Sequence, residues 1–134
     1  KKFRVQVIKN LNFNEGINSS ISLGIKKLPK NSLSTMICLA DMPLLKSEDY
    51  NLMIEFEEKF RNKSKIIVPL NKITRGNPVI FGKDYFNTLI NLEGDNGGKK
   101  ILEKNKDVIF YDTNSEGFYF DIDTKKDLIK LKNN

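Results

Sequence analysis

Residues 35–45, "TMICLADMPLL", indicate how this chain folds. The residues before the acid are mostly apolar, so a strand buried on both faces is predicted over 33–40. Asp41 follows directly, and Met42 and Pro43 lead into a turn. An acid in this position either caps the turn and accepts hydrogen bonds from loop amides, or holds a metal ion. The local spacing leaves both interpretations open.

Strands and helices are predicted to alternate on either side of this segment. Short apolar or alternating runs predict strands, and capped amphipathic stretches predict helices. Further strands are expected at 3–8, 65–70, 78–81, 107–113 and 117–122. Helices are expected from Ser19 or Ser20 to Lys27, at 47–61 with Ser47 as cap, and at 84–92, 98–104 and 124–131. The pattern predicts an α/β fold with a mostly parallel sheet, which binds ligands at the carboxyl ends of its strands.

Composition limits the possible classes of function. The chain has 134 residues, 23 Lys and Arg against 17 Asp and Glu, and no histidine. Without imidazole, Ser-His triads and the usual zinc sites are excluded, so a metal would be Mg²⁺ held by carboxylates. The net charge of +6 fits a Lys-rich composition or an anionic small molecule. Because the lysines are dispersed and no aromatic-plus-basic motif occurs, we expect no nucleic-acid partner.

Location is also constrained. No apolar run approaches the roughly 20 residues needed to cross a bilayer, so no membrane association is expected. Cys38 is the single cysteine, which excludes an intrachain disulfide and fits a reducing compartment. We therefore predict a cytoplasmic protein.

A second acidic cluster lies in "FDIDT", residues 120–124. In a strand, Asp121 and Asp123 would point the same way and repel unless a cation or amides compensate. They could share a metal with Asp41. Alternatively, Asp123 caps the last helix beside Thr124, whose capping-box partner is predicted to be Asp127.

Two loops could bind anions. "EGDNGGK", residues 93–99, is a Gly-rich turn whose amides and Lys99 could hold an anion, although such turns are often only turns. "RGNPV", residues 75–79, places Arg75 beside a tight turn. Arg75 could bind a phosphate or carboxylate, or simply be a solvated surface side chain.

Four stretches occur together in one order: "NLNFNEGINSSISLG", "LADMP", "RGNPVIF" with "LINLEGDNGGK", and "FDIDTKKDL". This set resembles the MobA-like nucleotidyltransferase family, and within it the molybdenum cofactor cytidylyltransferases. The resemblance implies a Rossmann-like three-layer α/β/α sandwich that binds a nucleoside triphosphate and Mg²⁺. It implies transfer of a nucleoside monophosphate, CMP from CTP, to a phosphorylated acceptor such as the molybdopterin cofactor, with release of pyrophosphate. A molybdoenzyme would be a partner.

The same resemblance assigns roles to individual residues. It implies that Asp41 and Asp123 are the catalytic, metal-binding acids, with Asp121 as a further metal ligand. The nucleotide pocket would be bordered by Asn10, Gly16, Ser19 and Ser20, and the acceptor loops would include Gly76, Asn77, Pro78, Asp95 and Gly97.

One departure from the family pattern affects the expected domain. The family begins with a strand and a Gly-rich loop resembling "LAAGxSxRMG", which wraps the triphosphate, and this chain contains no such stretch. Residues 1–134 are therefore predicted to be a single, incomplete domain, the C-terminal portion of a longer protein. We expect these residues alone to lack the triphosphate cradle. Two other functions stay open: a nucleotidyltransferase for a sugar phosphate or another metabolite, and a non-catalytic module that binds a cofactor or partner.

Overall fold

A computed structural model describes residues 5–60, 63–92, 98–103 and 105–133. Helices and strands alternate through most of these ranges, as the sequence predicts. The helices are α1 (Ile17–Lys26), α2 (Ser47–Glu58), α3 (Phe86–Ile90), α4 (Lys99–Glu103) and α5 (Lys125–Asn133). The strands are β1 (Ser34–Ile37), β2 (Ile66–Asn71), β3 (Thr74–Arg75), β4 (Val79–Gly82) and β5 (Val108–Asp112). No helix within these ranges is both long and apolar enough to cross a lipid bilayer.

The strands form one mixed sheet. β4 lies between β1 and β2 and runs antiparallel to both, β3 continues the antiparallel pairing with β2, and β5 pairs with β2 in parallel. The predicted α/β class is confirmed, but the expectation of mostly parallel pairing is wrong. The reason is the turn at Lys72 and Ile73, which returns the chain beside β2 at once. A parallel neighbour would need a long crossover.

Helices cover both faces of the sheet and enclose a core on each face. Side chains along β2 alternate between these two cores. Ile66 and Val68 point into one core, where they pack with Leu89 of α3 and Ile25 of α1. Ile67 points into the other core, which contains Met53 of α2 together with Ile80 and Phe118. The predicted three-layer α/β/α arrangement is therefore confirmed.

The predicted strand at 3–8 is absent over residues 5–8, and residues 3 and 4 lie outside the described part. Val5 and Val7 are 76% and 89% exposed, although their alternation is typical of a strand. A strand needs a neighbouring strand to take its backbone hydrogen bonds. No described strand pairs with this segment, so the alternating pattern alone does not produce a strand.

The predicted strand at 117–122 is also wrong. Glu116–Phe118 forms a 3-10 turn, and residues 120–123 are irregular. Phe118 is buried in the core, and its carbonyl accepts from the backbone amide of Asn77 at 2.9 Å. Because the backbone groups of this segment bond to loops, they cannot form a ladder with a strand.

The start of α2 differs from expectation by one residue. Lys46, and not Ser47, is the N-cap, and the carboxylate of Asp49 accepts a hydrogen bond from the Lys46 amide at 2.9 Å. The negative charge of Asp49 also lies favourably in the first turn of the helix.

Candidate active site

The segment that follows β5 crosses the carboxyl end of the sheet and reaches the loop after β1. The Ile122 amide donates to the carbonyl oxygen of Asp41 at 2.9 Å. The Ser115 hydroxyl donates to the Asp49 carboxylate at 3.0 Å. These two contacts hold together segments that are more than 60 residues apart in the chain. Asp41 consequently lies beside the segment that carries Asp121 and Asp123.

The three acids predicted from sequence have exposed side chains. Within the described ranges, the carboxylates of Asp41, Asp121 and Asp123 form no hydrogen bond and no ion pair. The structure therefore does not show Asp41 accepting hydrogen bonds from loop amides through its side chain; its backbone carbonyl is the acceptor instead. Free carboxylate oxygens are the ligands that Mg²⁺ and Mn²⁺ prefer, so the donor set fits such an ion.

Thr124 and Asp127 account for the cap of α5 without help from Asp123. The backbone amide and the hydroxyl of Thr124 both donate to Asp127 Oδ2, at 2.9 Å and 2.6 Å. The Thr124 hydroxyl is also the main cause that lowers the pKa of Asp127. The predicted capping box is confirmed. The alternative in which Asp123 is the cap is therefore wrong.

A preformed site of three carboxylates is not observed. Among the residues that the structure describes, no three His, Cys, Asp or Glu side chains come close enough to hold one metal ion. A site at this edge would thus use one or two carboxylates, with the remaining positions filled by water or by ligand oxygens. Mg²⁺ typically binds in this way, because it keeps several waters and takes one or two carboxylates.

The predicted nucleotide-pocket residues form a hydrogen-bonded cluster around the start of α1. The Asn10 amide donates to the hydroxyls of Ser19 and Ser20, both at 2.9 Å. The Ser19 hydroxyl donates to the carbonyl oxygen of Gly16 at 2.8 Å. Gly16 has φ of 89°, a conformation that favours glycine. The four residues that the sequence placed at one pocket are thus neighbours in space.

This cluster adjoins the strand that leads to Asp41. A cavity of about 340 Å³ lies between α1 and β1, and Ser20 lines it together with Cys38 and Leu39. Because Leu39 is two residues before Asp41, the cavity opens next to the acids.

The loop of Gly76, Asn77 and Pro78 contacts the segment after β5. The Asn77 amide donates to the Phe118 carbonyl at 2.9 Å, and the Asn77–Pro78 peptide bond is cis. A Cβ at Gly76 would lie 2.5 Å from the Phe118 carbonyl oxygen and 2.8 Å from Tyr119 Cε1. Glycine is therefore required at this close approach.

Of the other predicted anion-binding residues, Arg75 does not join these contacts. Arg75 is exposed, and its guanidinium carbon lies 5.7 Å from the centre of the Phe110 ring, as in a cation–π contact. Lys99 is the first residue of α4. Asp95 and Gly97 lie outside the described residues.

Sequence reasoning missed a second cavity at the carboxyl ends of β2 and β5. We call it the β2–β5 chamber; its volume is about 520 Å³. It is lined by Asn71, Lys72, Ile73, Thr74, Asn114, Glu116, Tyr119 and Phe120. The polar run "DTNSEG" after β5 was the available signal, but assigning 117–122 to a strand concealed it.

Comparison with known proteins agrees with this architecture. Residues 1–108 match the family model of the MobA-like NTP transferase domain. No curated protein matches the sequence. The fold is similar to the crystal structure of Rv0371c from Mycobacterium tuberculosis H37Rv, with a TM-score of 0.69 and 18% identity over 87% of this chain. Rv0371c has also been crystallised as a complex with manganese, with a TM-score of 0.67 and 19% identity over 86% of this chain.

A further similar structure is molybdopterin-guanine dinucleotide biosynthesis protein A from Archaeoglobus fulgidus, with a TM-score of 0.65 and 19% identity over 94% of this chain. The matched region spans 60% of each Rv0371c structure and 66% of the Archaeoglobus protein. These identities show a shared fold, whereas the match to the family model extends over most of the sequence. The chain belongs to the MobA-like NTP transferase family.

Proposed function

We propose that the protein containing this chain is a nucleotidyltransferase of molybdenum cofactor biosynthesis. It transfers a nucleoside monophosphate, CMP from CTP, to a phosphorylated acceptor such as molybdopterin and releases pyrophosphate. Family membership supports the reaction class. The hydrogen bond from Ile122 to Asp41 carries the argument for the site, because it holds the two acidic segments side by side. We further propose that the protein acts in the cytoplasm and delivers its product to a molybdoenzyme.

Asp41 and Asp123 are the proposed metal ligands and catalytic residues. Asp121, predicted as a further ligand, is not assigned as a third one, because no three acidic side chains among the described residues come close enough to hold one metal ion. A divalent ion bound there would neutralise the charge that develops on the triphosphate. The attacking acceptor phosphate is already an anion, so the absence of histidine is compatible with this chemistry. The protein's main task in phosphoryl-type transfer is to position the two anionic substrates, the nucleoside triphosphate and the phosphorylated acceptor.

The two cavities provide room for two substrates. We assign the nucleotide to the cavity between α1 and β1, because Ser20 lines it and is hydrogen-bonded to Asn10, which also bonds to Ser19. The loop of Gly76–Pro78 supports the acceptor side, because it fixes the segment that leads to Asp121. Arg75, Asp95, Gly97 and Lys99 are proposed as further contacts to the two anionic substrates.

Metal binding tests this proposal directly on the chain. Mn²⁺ titration followed by electron paramagnetic resonance should show a site that weakens strongly in Asp41→Asn and in Asp123→Asn. Asp84→Asn is the matched control, because Asp84 is an exposed acid beyond the other end of the sheet. Equal Mn²⁺ affinity in the wild type and in Asp41→Asn would contradict the assignment.

Calorimetric titration with nucleotide tests the reaction class. CTP should bind to the protein that contains this chain in the presence of Mg²⁺, and much more weakly without it. GTP is the necessary comparison, because one structurally similar protein is named for a guanine dinucleotide. If GTP bound more tightly than CTP, GTP would be the proposed substrate. Nucleotide binding with the same affinity in the presence and absence of Mg²⁺ would argue against catalysis.

Two alternative functions can be distinguished by measuring which acceptor, if any, leads to pyrophosphate release. A nucleotidyltransferase for sugar phosphates would release pyrophosphate with a sugar phosphate and not with molybdopterin. A non-catalytic module would bind a cofactor or a partner enzyme without releasing pyrophosphate, and Asp41→Ala would leave that interaction unchanged.

A further inference from the structure

We propose that the outer edge of β5 pairs with the same edge of a second copy of this chain, so that two sheets join across a twofold axis. β5 is bonded on one side to β2, and no other described strand pairs with it. All of its residues are half-buried or exposed, whereas β4 is buried throughout. This inference does not depend on the proposed function and concerns a different surface.

Every second residue of β5 directs its backbone polar groups away from the sheet. The Asp107 carbonyl and the Thr113 amide both bond to β2 at 3.1 Å, and alternate residues of a parallel ladder bond to the same neighbour. The odd-numbered residues therefore face β2. The amides and carbonyls of Val108, Phe110 and Asp112 face outward, with no partner among the described residues. Such a row of free backbone groups is a template for another strand.

The sequence of this edge is complementary to itself when two copies run antiparallel. With Ile109 on the twofold axis, Val108 of each copy lies opposite Phe110 of the other, which is a favourable β-branched and aromatic pair. Lys106 and Asp112 are also opposite each other, once at each end of the paired segment. Both are exposed, and neither forms an ion pair within the described residues. Each copy would therefore neutralise the free charges of the other.

Phe110 supplies the apolar contact of the proposed interface. Its side chain is 41% exposed, and the guanidinium carbon of Arg75 lies 5.7 Å from the centre of the ring. Val108 of a second copy would remove more of this ring from water, which favours association. β5 itself contains neither lysine nor proline, two residues that commonly block pairing at exposed edges. Because one strand edge is a small interface, we expect a dissociation constant of roughly 10–100 µM.

Charge exchange tests the inference in the protein that contains this chain. Sedimentation equilibrium should show an average mass that rises from monomer toward dimer between about 5 and 500 µM. Asp112→Lys places a lysine opposite Lys106 and should weaken the dimer by about tenfold or more. Adding Lys106→Asp restores opposite charges and should return the affinity close to that of the wild type. Glu15→Lys is the matched control, because it changes the net charge equally at an exposed residue just before α1.

Hydrogen exchange resolved by residue locates the interface. The amides of Val108 and Phe110 should exchange more slowly in concentrated than in dilute solution, whereas the Ile109 amide, which faces β2, should change less. A protein that stays monomeric up to about 500 µM overturns the inference, as does a dimer of equal affinity in the wild type and Asp112→Lys. Equal protection of Val108 and Phe110 at all concentrations also overturns it, because another segment of the same protein would then cover the edge.

Discussion

The two ends of the sheet differ in how their polar side chains are used. At the amino ends of β2 and β5, Lys65 forms an ion pair with Asp107. The Tyr85 hydroxyl donates to Asp107 at 2.9 Å, and Asn105 accepts from the Asp107 amide at 2.9 Å. At the carboxyl end, the carboxylates of Asp41, Asp121 and Asp123 have no partner within the described residues.

This difference indicates that the polar groups at one end of the sheet stabilise the fold and that those at the other end are available to bind ligands. A satisfied network adds to the stability of the fold and leaves little capacity to bind anything else. The exposed carboxylates of Asp41, Asp121 and Asp123 form no bond within the described residues, so they add little to the stability of the fold. Polar groups kept free at a cost to stability are typical of functional sites. The carboxyl end is therefore the end that should respond to ligands.

Replacing one aspartate at each end of the sheet by asparagine should produce two variants with opposite defects, one in activity and one in stability. In the protein that contains this chain, Asp41→Asn should lower kcat/KM for pyrophosphate release by about two orders of magnitude or more, because a proposed metal ligand is lost. Its stability to denaturant should change by less than about 0.5 kcal/mol, as usual for an exposed and unpartnered side chain.

Asp107→Asn is the reciprocal variant. It should lower stability, because the ion pair with Lys65 loses its charge, while Mn²⁺ affinity stays at the wild-type value. Urea denaturation and Mn²⁺ titration of both variants make the comparison. If Asp41→Asn were the destabilised variant and kept its Mn²⁺ affinity, the division of roles between the two ends would be wrong.

A smaller effect is expected from Gly76→Ala. The new Cβ would lie 2.5 Å from the Phe118 carbonyl oxygen, so the backbone would have to move. We expect a loss of about 1–3 kcal/mol in the free energy of unfolding, as for other overpacked sites. Acceptor binding should weaken as well, because Tyr119 is displaced. Urea denaturation measures the first effect, and calorimetric titration of the protein that contains this chain with the phosphorylated acceptor measures the second.

Gly24→Ala is the matched control for that variant. Nothing lies within 4 Å of a Cβ at Gly24, which is in the interior of α1. Alanine should stabilise the helix there by about 0.5–1 kcal/mol. Equal effects at the two glycines would show that the contact between Gly76 and the segment after β5 carries no constraint.

Local signals were sufficient for most of the fold. The apolar runs that became β1, β2, β4 and β5, together with the capping box of α5, are recognisable from short stretches of sequence, although β1 is only half-buried and not buried on both faces as predicted. The mixed sheet order was not predicted, because it depends on which strands pair across the chain. The turn at Lys72 and Ile73 determines that pairing, because it places the following strands antiparallel to β2. Which strands then lie side by side cannot be read from a short stretch of sequence.

The candidate site was only partly predictable. The acids stay a prediction, made from their positions after an apolar run and near the last helix and from the family resemblance. Tyr119 and Asn114 were missed, because the apolar and aromatic pattern of "GFYFDI" matches a strand equally well. The backbone of this segment bonds to the loops of Asn77 and Asp41, contacts that no local pattern encodes.

The response to acid should distinguish the two ends of the sheet in another way. Hydrogen bonds from Lys65 and then Tyr85 lower the pKa of Asp107. Because its pKa is lower in the folded than in the unfolded state, Asp107 stabilises the fold above its unfolded pKa. That contribution is lost as the pH falls through the folded value. Urea denaturation from neutral pH to about pH 3 should therefore show a smaller loss of stability in Asp107→Asn than in the wild type. An identical decline in both proteins would mean that another carboxyl dominates.

The smallest expected effect concerns the cap of α5. Thr124→Ala removes the hydroxyl that donates to Asp127 at 2.6 Å but keeps the amide donor at 2.9 Å. We expect a loss of about 0.5–1 kcal/mol, visible as faster hydrogen exchange in α5. Ser47→Ala is the control, since Ser47 lies beside the N-cap of α2 and bonds only to Glu48. It should be nearly neutral.

Thr124→Ala also tests what positions Asp123. Ile122 is bonded to Asp41 independently of the cap, so Mn²⁺ affinity should change little when only the Thr124 hydroxyl is lost. If Mn²⁺ affinity instead fell as far as in Asp41→Asn, α5 and its cap would be what holds Asp123 in place. The contact between the loops after β1 and β5 would then be a consequence of that helix and not the cause of the site.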